Sequence, residues 1–250
     1  MHRRPSERTF LFGIHPVLEA LKETKPLQRI LFLKGKQTDE VSEILRLCRA
    51  LDIPAQAVPK ERLDRVTRKN HQGVVAFTSP IEFQPLDEVV LGAFERGETP
   101  LIVALDGVTD VRNLGAIART AECFGATGLL VPMTGSAPIN EDAVKSSAGA
   151  LLRLPMCRAR RMDETIRMVG NLGLSAVAVC EQGGQPLATL DSSAPTCLIL
   201  GDEHSGISPE VLKHCVKTVS IPMQGKTASL NVGVAAGIVL FASQQKLSPH

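Results

Sequence analysis

The sequence predicts an α/β protein of two modules, the second a parallel sheet covered by helices. Three observations carry that reading. Beyond residue 100, short apolar runs alternate with segments of helical periodicity, and residues 101–105 are apolar at every position, as in a strand buried on both faces. Residues 10–80 show the same alternation on a smaller scale. Charge divides at the same place: residues 1–80 hold 15 Lys or Arg against 9 Asp or Glu, a net +6, whereas residues 81–250 hold 13 against 17, a net −4.

The elements follow in order. Residues 1–9 are basic and polar and read as a loose tail. In the first module, residues 17–22 read as helix and 30–33 as strand. Residues 39–51 place apolar side chains at 41, 44, 45 and 47, the spacing of an amphipathic helix. Residues 54–58 and 73–78 read as short strands. Residues 80–100 contain Pro80, Pro85, Gly92, Gly97 and Pro100 and read as a linker with a short helix around 86–94. The expected boundaries are therefore a first domain at 8–80, a linker at 81–99 and a second domain at 100–246. In the second, strands are expected at 101–105, 128–131, 175–179, 197–200 and 219–221, and helices at 114–124, 141–150, 165–172 and 230–243. Periodicity alone makes this an ordinary doubly wound sheet.

Composition narrows the function. Hydrophobic residues at 44% and charged residues at 22% suit a globular, soluble chain. No apolar stretch follows a basic start as a secretion signal requires. The longest charge-free run, 227–245, contains Ser229, Asn231 and several glycines, and reads as a buried helix rather than a membrane span. The cysteines at 48, 123, 157, 180, 197 and 215 include no C-x-x-C pair. They read as reduced thiols of a cytoplasmic protein, with no zinc or other metal site. The basic first module suggests a polyanionic partner. The absence of Trp and Tyr, with only eight Phe, argues against recognition by a row of stacked aromatics.

Several catalytic motifs fail on spacing. Gly225-Lys226-Thr227 resembles the end of a phosphate-binding loop, but Ser220 occupies the position that needs the first glycine. His204-Ser205-Gly206 lacks both flanking glycines of a nucleophile elbow, with Glu203 and Ile207 in their places. No G-x-G-x-x-G or H-E-x-x-H occurs.

Three polar segments remain, each at the end of an expected strand: 106–121, 200–207, and 221–223 followed by 229–232. Ligands of parallel sheets gather at strand carboxyl ends, so these segments should converge. Taken singly, each residue also has a plain structural reading: Asn113 or Ser229 as helix caps, Gly201 and Gly206 as turn glycines, Arg119 as a surface partner of Glu122.

Asn113-x-Gly115-x-x-x-Arg119-Thr120-Ala121, Gly201-x-Glu203-x-x-Gly206-Ile207 and Ile221-Pro222-Met223 with Ser229-Leu230-Asn231-Val232 resemble, in order and spacing, the three motifs of the SpoU (TrmH) family of RNA ribose 2′-O-methyltransferases. Gly13-Ile14-His15-Pro16-Val17 and His71-Gln72-Gly73-Val74-Val75-Ala76 resemble the L30e-like RNA-binding domain that precedes the catalytic domain in many members. The resemblance spans roughly residues 10–245. Asp202 and Gly233 depart from it, standing where many members have Asn and Ser.

The resemblance implies a C-terminal α/β trefoil-knot (SPOUT) domain, S-adenosylmethionine as methyl donor without a metal, and a homodimer formed through that domain. It implies Arg119, Asn113, Glu203, Ser229 and Asn231 as catalytic residues, and Gly201, Gly206, Ile221, Met223 and Leu230 as donor-binding residues. The two-domain layout favours a guanosine of 23S rRNA as target, with a tRNA guanosine or a non-catalytic assembly protein as alternatives. A sulfonium methyl is already electrophilic, so the weakly acidic ribose hydroxyl is the difficult partner. An ordinary guanidinium is no base, but Arg119 can hold a phosphate and stabilise a developing oxyanion. Cytosine C5 methylation, the rival chemistry, needs a nucleophilic cysteine, usually after proline; Cys157 follows Met156 and Cys197 follows Thr196.

Overall fold

The computed structural model describes residues 10–35, 38–181, 183–191, 193–202, 205–225 and 229–244. The chain divides into two units, Met1–Glu82 and Phe83–His250.

Four strands form the sheet of the first unit: β1 (Phe10–Phe12), β2 (Leu27–Leu33), β3 (Ala55–Val58) and β4 (Val74–Thr78). Their order is β1-β4-β2-β3, with β2 and β3 parallel and β4 antiparallel to both neighbours. Helices α1 (Ile14–Lys22), α2 (Asp39–Ala50) and α3 (Lys60–Val66) cover it. Successive strand residues point to opposite faces, and both faces are buried here. Ile30, Val74 and Ala76 pack with Val17, Leu21 and Ile44 of α1 and α2, while Leu31 and Val75 pack with Leu63 of α3. Neither β1 nor α3 was expected: β1 is three residues long, and α3 buries only Leu63 within a basic run.

The two motifs of this unit meet. Gln72 Oε1 accepts from the Ile14 amide at 3.0 Å, at the start of α1. His71 Nδ1 accepts from the Gly73 amide at 2.9 Å, which leaves Nε2 to donate to Asp64 Oδ1 at 2.9 Å. The motif residues thus brace one another at the turn that feeds β4.

The second unit holds β5 (Leu101–Asp106), β6 (Gly128–Pro132), β7 (Met156–Ala159), β8 (Ser175–Cys180), β9 (Gln185–Pro186), β10 (Thr196–Gly201) and β11 (Lys217–Ser220). Among the described residues they form one sheet, β7-β6-β5-β10-β8-β11-β9, parallel at every pairing. Its helices are α4 (Leu86–Glu95), α5 (Val111–Cys123), α6 (Glu141–Ser146), α7 (Met162–Asn171), α8 (Pro209–Leu212) and α9 (Val232–Gln244). Ile102, Ala104, Ala178 and Ile199 pack with Val90 of α4, Ile166 of α7 and Val211 of α8. The alternate strand residues Val103, Leu105, Leu198 and Leu200 are buried as well, and α5 and α9 pack on β6 and β10. Burial on both faces explains the unbroken apolar runs.

Several elements differ from expectation. The short helix expected around 86–94 is present as α4, but it is no mere linker element, since its Leu86, Val89, Val90 and Ala93 are buried within the second unit. The helix expected over 141–150 stops at Ser146, because Ala148 and Gly149 take positive φ of 50° and 82° and turn the chain into a short 3-10 segment. Strand β7, only Met-Cys-Arg-Ala, offers too short and too polar a run to be read in advance. Among the described residues no helix is long and apolar enough to cross a membrane.

Candidate functional site

The strand order places β5 beside β10, with β6 and β7 to one side and β8, β11 and β9 to the other. Ligands of parallel sheets gather at the carboxyl ends of the strands. A cavity of about 400 Å³ lies at that end, within the range of small-ligand sites. Its walls come from the carboxyl ends of β8, β10 and β11 and from the segment entering α9. Gly201, Gly206, Ile221, Met223 and Leu230, the five expected donor-binding residues, all line it, and so does Ser229.

The second polar segment has a defined build. A Cβ on Gly201 would lie 2.1 Å from the Gly206 carbonyl carbon and 2.3 Å from the Ile207 nitrogen, so the returning chain rests directly on Gly201. Asp202 and Gly206 exchange backbone hydrogen bonds at 3.1 and 2.8 Å. Asp202 Oδ1 accepts from the amide and the hydroxyl of Ser205 at 3.0 and 3.1 Å. Asp106, at the end of β5, accepts from the amide and hydroxyl of Ser208 at 2.8 and 2.7 Å and ties the segment down. Glu203 lies outside the described residues.

The third segment meets the first through two asparagines. Asn231 Oδ1 accepts from the amides of Gly233 and Val234 at 3.0 and 3.3 Å, which caps α9. With that atom fixed as the acceptor, its Nδ2 donates to Asn113 Oδ1 at 3.0 Å. Neither alternative cap is used: α5 begins at Val111 under the carboxylate of Asp110, which accepts from the Arg112 amide at 2.7 Å. The side-chain hydrogen bond from the Arg112 guanidinium, together with that amide, holds the Asp110 carboxyl below its ordinary range. Gly115 serves packing: a Cβ there would lie 2.5 Å from the Ser146 side chain, so α5 and α6 touch at backbone distance.

Arg119 is not in the cavity wall. It sits on an exposed stripe of α5 formed by Arg112, Ala116, Arg119 and Cys123. Its expected surface partner, Glu122, is instead paired with Arg153 at 2.7 Å. Beside this stripe α9 exposes Val234 and Phe241, 51% and 53% accessible.

Sequence reasoning missed the contribution of β8, whose Val179 and Cys180, with Glu181 just beyond its end, line the cavity. The signal was available, since every strand of a parallel sheet sends its carboxyl end to the same side. The thiols offer no nucleophile at the positions weighed for base methylation. Burial pushes Cys157 up to about 12 and raises Cys197 still further from the ordinary thiol value. Among the described residues no three His, Cys, Asp or Glu side chains gather as a metal site.

These features define a class: a parallel α/β unit with a cavity at the carboxyl ends of its strands, preceded by a smaller α/β unit. Residues 100–241 match the SpoU rRNA Methylase family, and residues 10–84 match the substrate-binding domain of RNA 2′-O ribose methyltransferases. The chain therefore belongs to the SpoU (TrmH) family of RNA methyltransferases. It is 36% identical over 244 residues to an uncharacterized tRNA/rRNA methyltransferase of Mycobacterium sp. (strain KMS), covering 95% of this chain and 78% of the relative. Among solved structures, it resembles the SpoU methyltransferase AviRb of Streptomyces viridochromogenes in complex with AdoMet, with a TM-score of 0.61 and 28% identity over 96% of this chain and 91% of that one. It also resembles an AdoMet-bound rRNA methyltransferase of Sinorhizobium meliloti, with a TM-score of 0.62 and 27% identity over 96% and 88%.

Proposed function

We propose that this chain transfers a methyl group from S-adenosylmethionine to a ribose 2′-hydroxyl of structured RNA, a guanosine of 23S rRNA being the favoured target. The observation that carries the reading is the convergence of Gly201, Gly206, Ile221, Met223, Ser229 and Leu230 on one cavity, with the Asn113–Asn231 pair adjoining it in the chain at Leu230. The cavity fits the donor on its own chemistry: apolar walls from Leu200, Ile207 and Leu230 suit a purine. When bound, the donor supplies an already activated methyl.

The protein's task is then to place and polarise the hydroxyl. Asn113, its Oδ1 held by Asn231, is assigned to positioning the hydroxyl. Arg119 is assigned to the phosphate and the developing oxyanion. Glu203 and Ser229 complete the proposed polar lining. Because Arg119 projects from an exposed face flanked by Val234 and Phe241, the reading includes a homodimer through α5 and α9 in which Arg119 serves the partner's cavity. It also includes a trefoil knot in the second unit. The basic first unit is the proposed RNA-affinity module, and its binding should weaken steeply with salt. A tRNA guanosine is the second reading, because the name of the mycobacterial relative spans tRNA and rRNA.

Mapping 2′-O-methyl positions in rRNA and tRNA from cells with and without the gene identifies the target; no lost methylation would refute the reading. Arg119→Ala should abolish transfer and leave donor binding, followed by calorimetry, within about twofold, since Arg119 belongs to the first segment and the assigned donor-binding residues to the second and third. Near-normal turnover would remove Arg119 from the reaction. Restored activity on mixing Arg119→Ala with an Asn231-defective chain would show that one site draws on both subunits.

A further inference from the structure

We propose that the sheet face formed by Phe10, Phe12 and Phe77, with Arg29 and Arg62 beside it, docks an unpaired nucleotide of the RNA. The base stacks on this face and its phosphate meets the guanidiniums. The inference rests on the reading above that the first unit supplies RNA affinity, and it names the surface and the form of RNA taken there.

Composition argues against a long row of stacked aromatics, since the chain has eight Phe and no Trp or Tyr. The fold nevertheless brings three of those eight together. Phe10 of β1 and Arg29 of β2 both stand opposite Phe77 of β4, one on each side, so the three form a single row across the sheet. Phe12 shares their face, two residues along β1. The Phe10 ring centroid lies 6.2 Å from that of Phe12 and 6.4 Å from that of Phe77. Arg29 Cζ lies 4.6 Å from the centroid of Phe77. These are the spacings of ring–ring and cation–ring attraction.

The unit's own helices cover this face only in part. Leu63 of α3 packs with Leu31, Val58 and Val75, in the neighbouring rows of the sheet. Phe10, Phe12 and Phe77 stay half-buried at the margin of that cluster, and Arg29 is exposed. The face lies toward the far end of β4 from the turn that holds His71 and Gln72.

Charge selects the occupant. Burial first, and the like charge of Arg62 second, lower the pKa of Arg29, so the two guanidiniums are near enough to repel. Among the described residues neither is in an ion pair. An anion placed beside them relieves that repulsion. Unpaired bases dock on aromatic faces and on guanidinium planes, whereas paired bases keep their faces inside the duplex. Rings and uncompensated arginines on one face therefore suit a single-stranded nucleotide rather than a helical segment.

Binding of the full chain to a labelled oligouridylate, and to a blunt RNA duplex with the same number of phosphates, tests this by fluorescence anisotropy. Phe10→Leu and Phe77→Leu keep apolar volume and remove a ring. Each should weaken oligouridylate binding about fivefold or more and duplex binding less than about twofold. Arg29→Gln and Arg62→Gln should each weaken the oligouridylate and lower the slope of its log affinity against log salt by about 0.7. Phe10→Trp gives the chain a single indole, because the sequence has no Trp; its emission should be quenched by the oligouridylate and not by the duplex. An unchanged thermal midpoint confirms folding, and Arg29→Gln, at an exposed position, carries the test where a Leu variant melts early. Equal losses on both RNAs, or no loss on either, overturn the inference while the first unit remains the RNA-affinity module. A changed light-scattering mass in the Leu variants would make the face a contact between copies and overturn it as well. If the unmutated chain binds neither RNA, the reading of the first unit fails and takes the inference with it.

Discussion

Asn231 performs two functions with one carboxamide, and two substitutions separate them. Its oxygen caps α9 by accepting from Gly233 and Val234, and its nitrogen donates to Asn113 at 3.0 Å. Asn231→Ala removes both. Loss of the cap costs about 1 kcal/mol and loss of the side-chain hydrogen bond about as much again. A total near 2 kcal/mol corresponds to a fall in Tm of about 4–8 °C for a unit of this size. Asn231→Asp keeps an acceptor for both α9 amides and places a negative charge at a helix N-terminus, which is favourable by about 0.3–1 kcal/mol. Its second oxygen, however, faces Asn113 Oδ1, so the Asn113 amide must rotate to donate and turns its oxygen outward. Asn231→Asp should therefore unfold within about 0.5 kcal/mol of the unmutated protein. It should nevertheless transfer methyl more than about tenfold more slowly, the effect of losing one oriented donor. Denaturant melts read the first quantity and single-turnover transfer to RNA the second. If Asp is as destabilising as Ala, the cap is not what Asn231 contributes. If Asp is stable and fully active, the orientation of Asn113 plays no part in the reaction.

Other substitutions probe the close contacts and the buried thiols. Gly115→Ala places a Cβ 2.5 Å from Ser146 and should cost about 1–3 kcal/mol in chemical denaturation, with partial recovery in a Gly115→Ala, Ser146→Gly double variant; an unchanged midpoint would mean that α5 and α6 do not meet there. Gly201→Ala drives a Cβ into the backbone at Gly206 and should abolish donor binding by calorimetry even if the unit remains folded; retained affinity would separate the turn from the cavity. Burial pushes the Cys157 thiol up to about 12 from an ordinary 9.0, so its stability contribution is complete below pH 9 and is lost as pH rises toward 12, where only the unfolded chain ionises freely. The loss is about 1.4 kcal/mol per pH unit in that window, and Cys157→Ala should flatten the slope of denaturation midpoint against pH by that amount. An identical slope would place the alkaline sensitivity elsewhere.

Local pattern determined a good deal of this protein by itself. Runs such as Leu101–Asp106 and Thr196–Gly201 are apolar because parallel strands are buried on both faces, so sheet type and strand positions follow from hydrophobicity. Once strand ends are placed, the carboxyl-end rule brings their polar residues to one side, which is why Gly201, Ile221, Met223 and Leu230 could be read together before any coordinates. Periodicity is silent where an element is short or its burial is supplied from elsewhere. The three residues of β1, the four of β7 and the basic α3 are held by partners remote in sequence.

The tertiary structure alone decided who meets whom. Asn113 and Asn231 are 118 positions apart, and Asp106 and Ser208 are 102 apart. Nothing in the local sequence of either member of a pair specifies the other. Gly115 reads as a site glycine until α6 is seen to rest on it. Arg119, the residue the motif marks most strongly, lies on an exposed helix face rather than in the cavity. The physical reason is the same in each case. Hydrophobic burial fixes which faces of an element turn inward, but the choice of neighbour depends on closure of long chain segments and on backbone-distance packing, and only the assembled fold defines those.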